Sequence, residues 1–359
     1  NHPGKPCWLV NSDQARLSSG SISDAISGAG TPAPLFDSCN SGRLGYTRRI
    51  KPISPEINAE LLQFAQSLVR IPSVSGQEEE IVRYAAQRMT ALGYDEVLID
   101  GMGNLLGRIG EGPKAILLDA HVDTVAVTDA DQWEVPPFSG EIVGDSLYGR
   151  GTVDMKSSLA AAMYAGALVK QQGLLAGKTV YVSGTVCEED CDGENLKHLF
   201  QERQLRPDAV IICEPSDNQI ALGHKGKAQV TITTQGVSAH GSAPEKGVNA
   251  IYAMAEIIQR VERQQLKLMQ MEAPRGSLVM SRIASMAASL NAVPSECEVY
   301  LDRRIAPGET EEDIRQEMEG LIQGKRATWE VKTLSRRSWT GVEIRYQPFH
   351  LAWQIEREH

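Results

Sequence analysis

The sequence predicts an α/β protein with a mixed, mainly parallel sheet flanked by helices and an inserted α+β domain. Two observations support this fold class. Short β-rich runs alternate with helical stretches up to about residue 213, which is the pattern of βαβ units. Beyond residue 224 the order becomes strand, helix, strand, strand, helix, strand, which is typical of a compact α+β unit.

The first domain is predicted over residues 53–223. Its first helix begins at Ser54-Pro55, because serine caps helices and proline suits their first turn. Apolar residues then recur on one helical face: Leu61, Leu62, Ala65, Leu68 and Val69. The remaining elements are helices over 78–92 and 155–172 and strands over 96–99, 104–109, 115–121, 179–187 and 209–213.

The inserted domain is predicted over residues 224–336. Its strands are expected over 228–234, 277–284, 296–305 and 328–334, and its helices over 248–265 and 311–323. Residues 337–359 are too few for a third domain, so we expect them to return to the first one. Residues 1–52 are rich in Ser and Gly without a sustained period, which predicts a disordered tail, either native or foreign to the rest.

Composition narrows the class of protein. The formal net charge of -10 and the dispersed basic residues argue against nucleic-acid binding. No apolar stretch approaches the roughly 20 residues of a membrane span, so no membrane partner is expected. The 6 cysteines lack the spacing of a disulfide scaffold, which favours a reduced, cytoplasmic enzyme.

Three apolar runs each lead into residues that bind metals. His121 ends one run, Glu188-Glu189 follows a second, and Glu214 follows a third. Because ligands bind beyond the carboxyl ends of parallel strands, we expect these side chains to meet there. One imidazole and several carboxylates indicate divalent-metal chemistry.

Neighbouring residues refine this hypothesis. Asp123 lies two residues after His121, so on extended backbone it can orient the imidazole. Asp154 follows a glycine loop at the start of a helix; taken alone it is better explained as a helix N-cap, but the neighbouring motifs favour a role in metal binding. Of the adjacent pair Glu188-Glu189, one carboxylate can bind metal while the other takes a proton from water.

From about residue 56 to 359 the chain resembles the zinc-dependent amidohydrolases and exopeptidases of peptidase clan MH. These include acetylornithine deacetylase, succinyl-diaminopimelate desuccinylase, aminoacylase and carboxypeptidase G. The resemblance rests on the following motifs: His121-Val-Asp123, Gly149-Arg-Gly-Thr-Val-Asp154-Met-Lys, Glu188-Glu189 and Glu214-Pro215. Further stretches, including Gly236-Val-Ser-Ala-His-Gly-Ser-Ala-Pro244, resemble the subgroup linked to selenium metabolism.

The resemblance implies two divalent metal ions, zinc by default, with cobalt or manganese as alternatives. It implies that Asp154 bridges them, that His121 and Glu214 complete one site, and that Glu189 belongs to the other. The resemblance also implies that Glu188 is the general base. Asp123 orients His121, and the Asp154-Met155 peptide bond is expected to be cis.

In this family the inserted domain is a lid that also forms a homodimer. The resemblance implies that His240 reaches the partner subunit's active site and polarises the scissile carbonyl. Asn291 and Arg304 match positions that hold the substrate's carboxylate, a role that suits the planar guanidinium of arginine.

The family has one more metal ligand, a histidine near the C-terminus. His350 and His359 are the remaining candidates, and neither has the surrounding pattern. We therefore expect the second metal site to lack this ligand in the printed sequence, with weak binding of the second metal and little hydrolysis.

The leading functional hypothesis is a dinuclear metal hydrolase that cleaves an amide bond next to a free carboxylate. Its substrate would be an N-acyl amino acid or a short peptide, which makes it a deacylase or a dipeptidase. The alternatives are an aminopeptidase of the same clan and a non-catalytic protein that binds peptides or metabolites. The pair Glu188-Glu189 argues against the last, because a pure binder needs no general base.

Overall fold

The structure is a computed structural model that describes residues 51–354. The chain divides into two compact units. Within the described residues, the first comprises 51–219 together with Arg336–Ile344, and the second comprises Ile220–Ser335 together with 345–354. Residues 1–50 of the predicted tail, and His359, lie outside the described residues.

The first unit begins with helices α1 (Pro55–Arg70) and α2 (Glu79–Ala91). The Ser54 hydroxyl accepts a hydrogen bond from the Ile57 N–H at 3.3 Å, so the serine caps α1 as its position predicts. The face of α1 that is buried consists of Leu61, Phe64, Ala65, Leu68 and Val69.

Seven strands follow in this unit: β1 (Glu96–Ile99), β2 (Leu105–Ile109), β3 (Lys114–His121), β4 (Glu141–Val143), β5 (Ser146–Tyr148), β6 (Lys178–Thr185) and β7 (Ala209–Ile212). Five of them form a sheet in the order β1-β2-β6-β3-β7. Strand β3 pairs parallel with β6 and β7, whereas β2 pairs antiparallel with β1 and β6. The predicted mixed sheet is confirmed, and its parallel pairing is confined to β6, β3 and β7.

Helix α3 (Ser157–Gln171) precedes β6, and helices α4 (Glu188–Cys191) and α5 (Glu194–Arg203) follow it. The sequence predicts α3 but not α4, α5 or the β4-β5 hairpin. Three-residue strands are too short to show an alternating pattern, and α5 buries few of its side chains, so its helical period is weak.

The second unit contains β8 (Gly223–His224), β9 (Gly226–Gln235), α6 (Ala250–Gln270), β10 (Ser277–Met286), β11 (Glu296–Ile305), α7 (Glu311–Ile322) and β12 (Ala327–Glu330). Its antiparallel sheet has the order β10-β11-β9-β12. Alternate residues of β11 are buried, and they pack in one core with apolar residues of α6 and α7. The predicted βαββαβ order is thus present.

Short strands end the described chain: β13 (Leu334–Arg337), β14 (Glu343–Tyr346), β15 (Phe349–His350) and β16 (Trp353–Gln354). We expected residues 337–359 to return to the first domain. In the structure residues 336–344 do belong to the first unit, but β15 pairs with β9 of the second. Strand β12 covers only four residues of the ten-residue β9, which leaves backbone groups on that edge for β15.

Candidate metal site and the family of the chain

The carboxyl ends of the parallel strands bring the predicted metal ligands together. His121 ends β3 and is buried, and its Nε2 lies 2.8 Å from Asp154 Oδ1. The same nitrogen lies 3.7 Å from Glu214 Oε1 and 4.0 Å from Glu188 Oε2. Glu189 joins His121 and Asp154 in a group whose candidate ligand atoms all lie within 4.8 Å of one another. The sequence therefore predicted the members of this cluster correctly as neighbours.

Asp154 acts as a neighbour of His121 and not as a helix cap. It lies in the turn Thr152–Lys156, and the N-cap position of α3 is Lys156, which makes no side-chain capping bond. The Asp154-Met155 peptide bond is cis, as the resemblance implies. Gly151 precedes this turn with φ +79°, and a Cβ there would lie 2.7 Å from Thr124 Cγ2, so the turn requires glycine.

Asp123 is fully buried behind His121 and organises the backbone of the glutamate pair. Its carboxylate accepts hydrogen bonds from the N–H groups of Glu188 at 3.0 Å and Glu189 at 3.2 Å, and from the Ser75 hydroxyl at 2.7 Å. His121 Nδ1 lies 2.9 Å from the Asp123 carbonyl oxygen and 3.5 Å from its carboxylate. The imidazole is thus oriented mainly by the main chain of Asp123, a detail that residue spacing does not show.

Residues that the sequence analysis did not single out support the same turn. Cys187 adopts φ 56°, in the left-handed region, just before the glutamate pair. Its N–H donates to Glu78 Oε1 at 3.0 Å, and the Gly76 N–H donates to the same oxygen at 2.9 Å. Glu78 is 109 residues away in sequence from Cys187, so no local pattern could have found this contact.

Asp119 is a second residue that was missed, although the sequence carries a signal for it. It is a carboxylate within the apolar run that ends at His121, and it is buried in the sheet. Its Oδ1 accepts hydrogen bonds from the hydroxyls of Ser183 at 2.6 Å and Thr185 at 3.2 Å. Burial raises the pKa of Asp119 to about 6, although both hydroxyls oppose the shift.

The cluster holds more negative charge than it can balance by itself. Burial raises the pKa of Glu189 and of Glu214 to about 7, with repulsion from Asp154 adding to both shifts. The pKa of Glu188 is also raised by burial, which outweighs the attraction of His121. Burial lowers the pKa of His121, but hydrogen bonds to Asp123 and Asp154 outweigh it and raise the pKa well above its usual value.

The donor set fits a divalent cation. Among the described residues, none donates a hydrogen bond to the side-chain oxygens of Glu188, Glu189 or Glu214. Buried carboxylates without donors are costly unless a cation balances them. One imidazole nitrogen with several carboxylate oxygens suits zinc, cobalt or manganese.

His240, predicted as a catalytic residue, and Asn291, predicted to bind the substrate, share one pocket in the second unit. A cavity of about 440 Å³ is lined by His240, Asn291 and residues around them. The Ser242 N–H donates to His240 Nδ1 at 3.1 Å. Because an amide N–H can only donate, Nδ1 is the acceptor, and a neutral His240 carries its proton on Nε2. Arg304 is not among the residues that line this cavity, and it pairs with Asp302 at 3.1 Å.

Residues 222–330 match the family model of the M20 peptidase dimerisation domain. Uncharacterized protein YgeY of Escherichia coli (strain K12) is 36% identical over 307 residues, which cover 85% of this chain and 76% of that protein. The chain belongs to the M20 family of amidohydrolases. The family resemblance predicted from the sequence is thereby confirmed.

Other M20 proteins extend the comparison. Succinyl-diaminopimelate desuccinylase 2 of Shewanella loihica is 28% identical over 276 residues, covering 73% of this chain and 72% of that enzyme. The crystal structure of the Bacillus subtilis YXEP protein, described as a dinuclear metal-binding M20 peptidase, superposes with a TM-score of 0.57 at 15% identity, covering 84% of this chain and 77% of that one. The latter shows a shared fold.

This M20 protein is a metal-dependent hydrolase of amide bonds, and its candidate ligands fit divalent metals. Among the described residues, no helix is both long enough and apolar enough to cross a membrane.

Proposed function

We propose that this protein hydrolyses an amide bond next to a free carboxylate, in an N-acyl amino acid or a short peptide, with Glu188 as general base. The supporting observation is the group of glutamates around the buried His121, at the carboxyl ends of β3, β6 and β7, whose side chains receive no hydrogen bond from the part of the chain that the structure describes. A hydrolase of this kind needs a cation site and a separate proton acceptor side by side.

The proposed roles follow the sequence prediction. Two divalent metals, zinc by default, would be held by these residues, with His121 and Glu214 at one site, Glu189 at the other and Asp154 shared between them. When bound, these metals lower the pKa of a water molecule and polarise the amide carbonyl. Glu188 takes the proton of the attacking water and returns it to the leaving amine, which its raised pKa favours.

Recognition of the substrate is proposed to involve the dimer. His240 of one subunit donates from Nε2 to the scissile carbonyl oxygen bound by the other subunit, which its tautomer permits. Asn291, which shares a pocket with His240, and Arg304 hold the substrate's carboxylate. For Arg304 this role requires that its guanidinium leave Asp302 when substrate binds.

The test of the general base is Glu188→Gln. We expect a loss of turnover of about 10²- to 10⁴-fold with unchanged metal content, because the amide cannot take a proton. The matched control is Asp190→Asn, because Asp190 is a nearby, partly exposed carboxylate that pairs with Arg336 and whose change should leave turnover unchanged. Activity is measured by amine release and metal content by elemental analysis. Normal turnover of the Glu188→Gln protein would contradict the proposal.

The substrate class is tested with matched pairs of compounds. N-acetyl amino acids and dipeptides with a free carboxylate should be cleaved far better than the same compounds as C-terminal amides. Preferential cleavage of aminoacyl amides would favour the alternative, an aminopeptidase of the same clan. Binding without cleavage of any of these compounds, together with no effect of Glu188→Gln, would favour a non-catalytic binding protein.

The contribution of the partner subunit is tested by mixing two inactive variants, Glu188→Gln and His240→Ala. If His240 acts across the dimer, random exchange of subunits restores about a quarter of wild-type activity, because half of the dimers are mixed and each holds one intact site. If His240 acts within its own subunit, each subunit of a mixed dimer has one defect in its own site, so no site is intact and mixing restores no activity. A variant that carries both substitutions, mixed with wild-type protein, gives the converse test. Its mixed dimers have two singly defective sites if His240 acts across the dimer, but one intact site if it acts within its own subunit.

A further inference from the structure

A second group of metal-binding side chains lies in the first unit, formed by Asp100, His198 and Glu202. Asp100 follows β1, and the other two residues project from α5. His198 Nδ1 lies 3.3 Å from Asp100 Oδ2 and 3.8 Å from Glu202 Oε2. Residues four apart on a helix share one face, so α5 presents an imidazole and a carboxylate together to Asp100.

The spacing of these three atoms suits a small coordination sphere. In tetrahedral zinc sites with bonds of about 2.0–2.1 Å, two ligand atoms lie about 3.3–3.4 Å apart. The distance from His198 Nδ1 to Asp100 Oδ2 is 3.3 Å, and the distance to Glu202 Oε2 exceeds this range by a few tenths of an ångström. A small rotation of the partly exposed Glu202 side chain is enough to close that gap.

Both carboxylates are already held by the turn that follows β1. Asp100 Oδ2 accepts a hydrogen bond from the Asn104 side-chain amide at 2.8 Å, while its Oδ1 accepts the Asn104 N–H at 2.8 Å. Glu202 Oε2 accepts the Gly101 N–H at 2.9 Å. Since a carboxylate oxygen has two lone pairs, each of these two oxygens can take a second partner, and the second neighbour of Asp100 Oδ2 is His198 Nδ1 at 3.3 Å. Outer hydrogen bonds of this kind orient metal ligands before the ion binds.

The charge of the group also favours a cation. The Asp100 side chain is fully buried, and the only ion pairs that the described residues form with Asp100 and Glu202 involve His198. One imidazolium supplies at most one positive charge against two carboxylates. The group therefore keeps at least one negative charge, part of it buried, which a divalent ion would balance.

We propose that Asp100, His198 and Glu202 bind one divalent transition-metal ion of the zinc type, with water completing the sphere. This site shares no ligand with the His121 cluster and does not depend on the proposed function. Asn104 connects this site to the end of β6, because its side-chain oxygen accepts the Val186 N–H at 3.0 Å. Its side-chain amide also donates to the Asn195 carbonyl at 3.2 Å. The ion thus fastens α5 to the turn after β1, beside the end of β6.

The site is tested by counting zinc ions per chain after equilibration with buffered Zn²⁺. The variants are His198→Asn and Glu202→Gln, with Glu194→Gln as the control, because Glu194 is a carboxylate of the same helix that pairs with Lys197. We expect both site variants to bind one equivalent fewer than wild type, or to bind it at least tenfold more weakly. The control should bind as wild type does.

His198→Asn distinguishes a metal site from a simple hydrogen bond between residue 198 and Asp100. Asparagine can still donate a hydrogen bond to Asp100 but is a poor zinc ligand. The hydrogen bond therefore survives this change, whereas a metal site does not. Zn²⁺ should therefore raise the thermal midpoint of wild type more than that of His198→Asn. Equal zinc content and an equal rise in midpoint for wild type and both site variants would overturn the proposal. If His198→Asn does not fold, Glu202→Gln decides between the same outcomes.

Discussion

Two charge clusters, one in each unit and each around a buried basic side chain, are built in opposite ways. In the second unit, Arg303 donates to Glu317 at 2.7 Å and to both side-chain oxygens of Glu309. The Gln264 side-chain amide donates to the remaining oxygen of Glu317. In the first unit, by contrast, His121 faces the carboxylates of Glu188, Glu189 and Glu214, whose side-chain oxygens accept no hydrogen bond from residues 51–354.

The difference separates a structural cluster from a functional one. Around Arg303 every carboxylate oxygen has a donor, and the guanidinium balances part of the negative charge. Around His121 the folded chain leaves carboxylates uncompensated and raises their pKa values, which costs stability until a cation binds. Uncompensated negative charge around an imidazole is therefore the feature that marks the site.

The largest expected effect tests the structural cluster. Arg303→Ala leaves Glu309 and Glu317 partly buried without their cation and should lower the free energy of unfolding by about 3–5 kcal/mol. The control is Arg315→Ala, since Arg315 also pairs with two glutamates, Glu312 and Glu319, but on the surface. Urea denaturation measures both. Similar stability losses in the two variants would remove the distinction between buried and exposed clusters.

A smaller effect is expected at Asp123, which lies in the functional cluster but has donors to both carboxylate oxygens. Asp123→Asn replaces an acceptor of the Glu188 and Glu189 N–H groups and should weaken metal binding about 10- to 100-fold. Ser75→Ala removes only the hydroxyl donor and serves as the milder comparison. Metal titration gives the affinities, and a wild-type affinity for Asp123→Asn would show that this carboxylate does not organise the site.

The smallest expected effect is a shift of the thermal midpoint with pH in chelator-treated protein. Glu189 and Glu214 have folded pKa values of about 7, above the usual 4.5, so the folded state binds more protons between these values. Stability should therefore fall as pH rises from about 4.5 through 7. The raised pKa of His121 acts in the same direction, because stability from its proton is lost as pH rises through the folded pKa.

Scanning calorimetry at pH 5.5 and 7.5 measures this shift. A variant with Glu189→Gln and Glu214→Gln should show a weaker dependence on pH, since these groups no longer titrate. With saturating Zn²⁺ the dependence should reverse, because protons then compete with the metal for its ligands. A chelated protein that gains stability from pH 5.5 to 7.5 through these two residues would contradict the pKa assignment.

Local patterns determined much of the fold and most of the metal cluster. His121, Glu188, Glu189 and Glu214 follow apolar runs directly, and strands of a parallel sheet bring their carboxyl ends together wherever they pair. The α+β order of the second unit was also evident, because alternating strands and amphipathic helices each show their own period.

Only the tertiary structure decided which groups complete and balance each cluster. Glu78 reaches Cys187 across 109 residues, and Ser75 reaches Asp123 across 48. The pairing of β15 with β9, and of Arg303 with its glutamates, likewise joins positions without a shared local pattern. The physical reason is that periodicity reports which face of an element is apolar, whereas hydrogen-bond partners and charge balance depend on which elements come into contact.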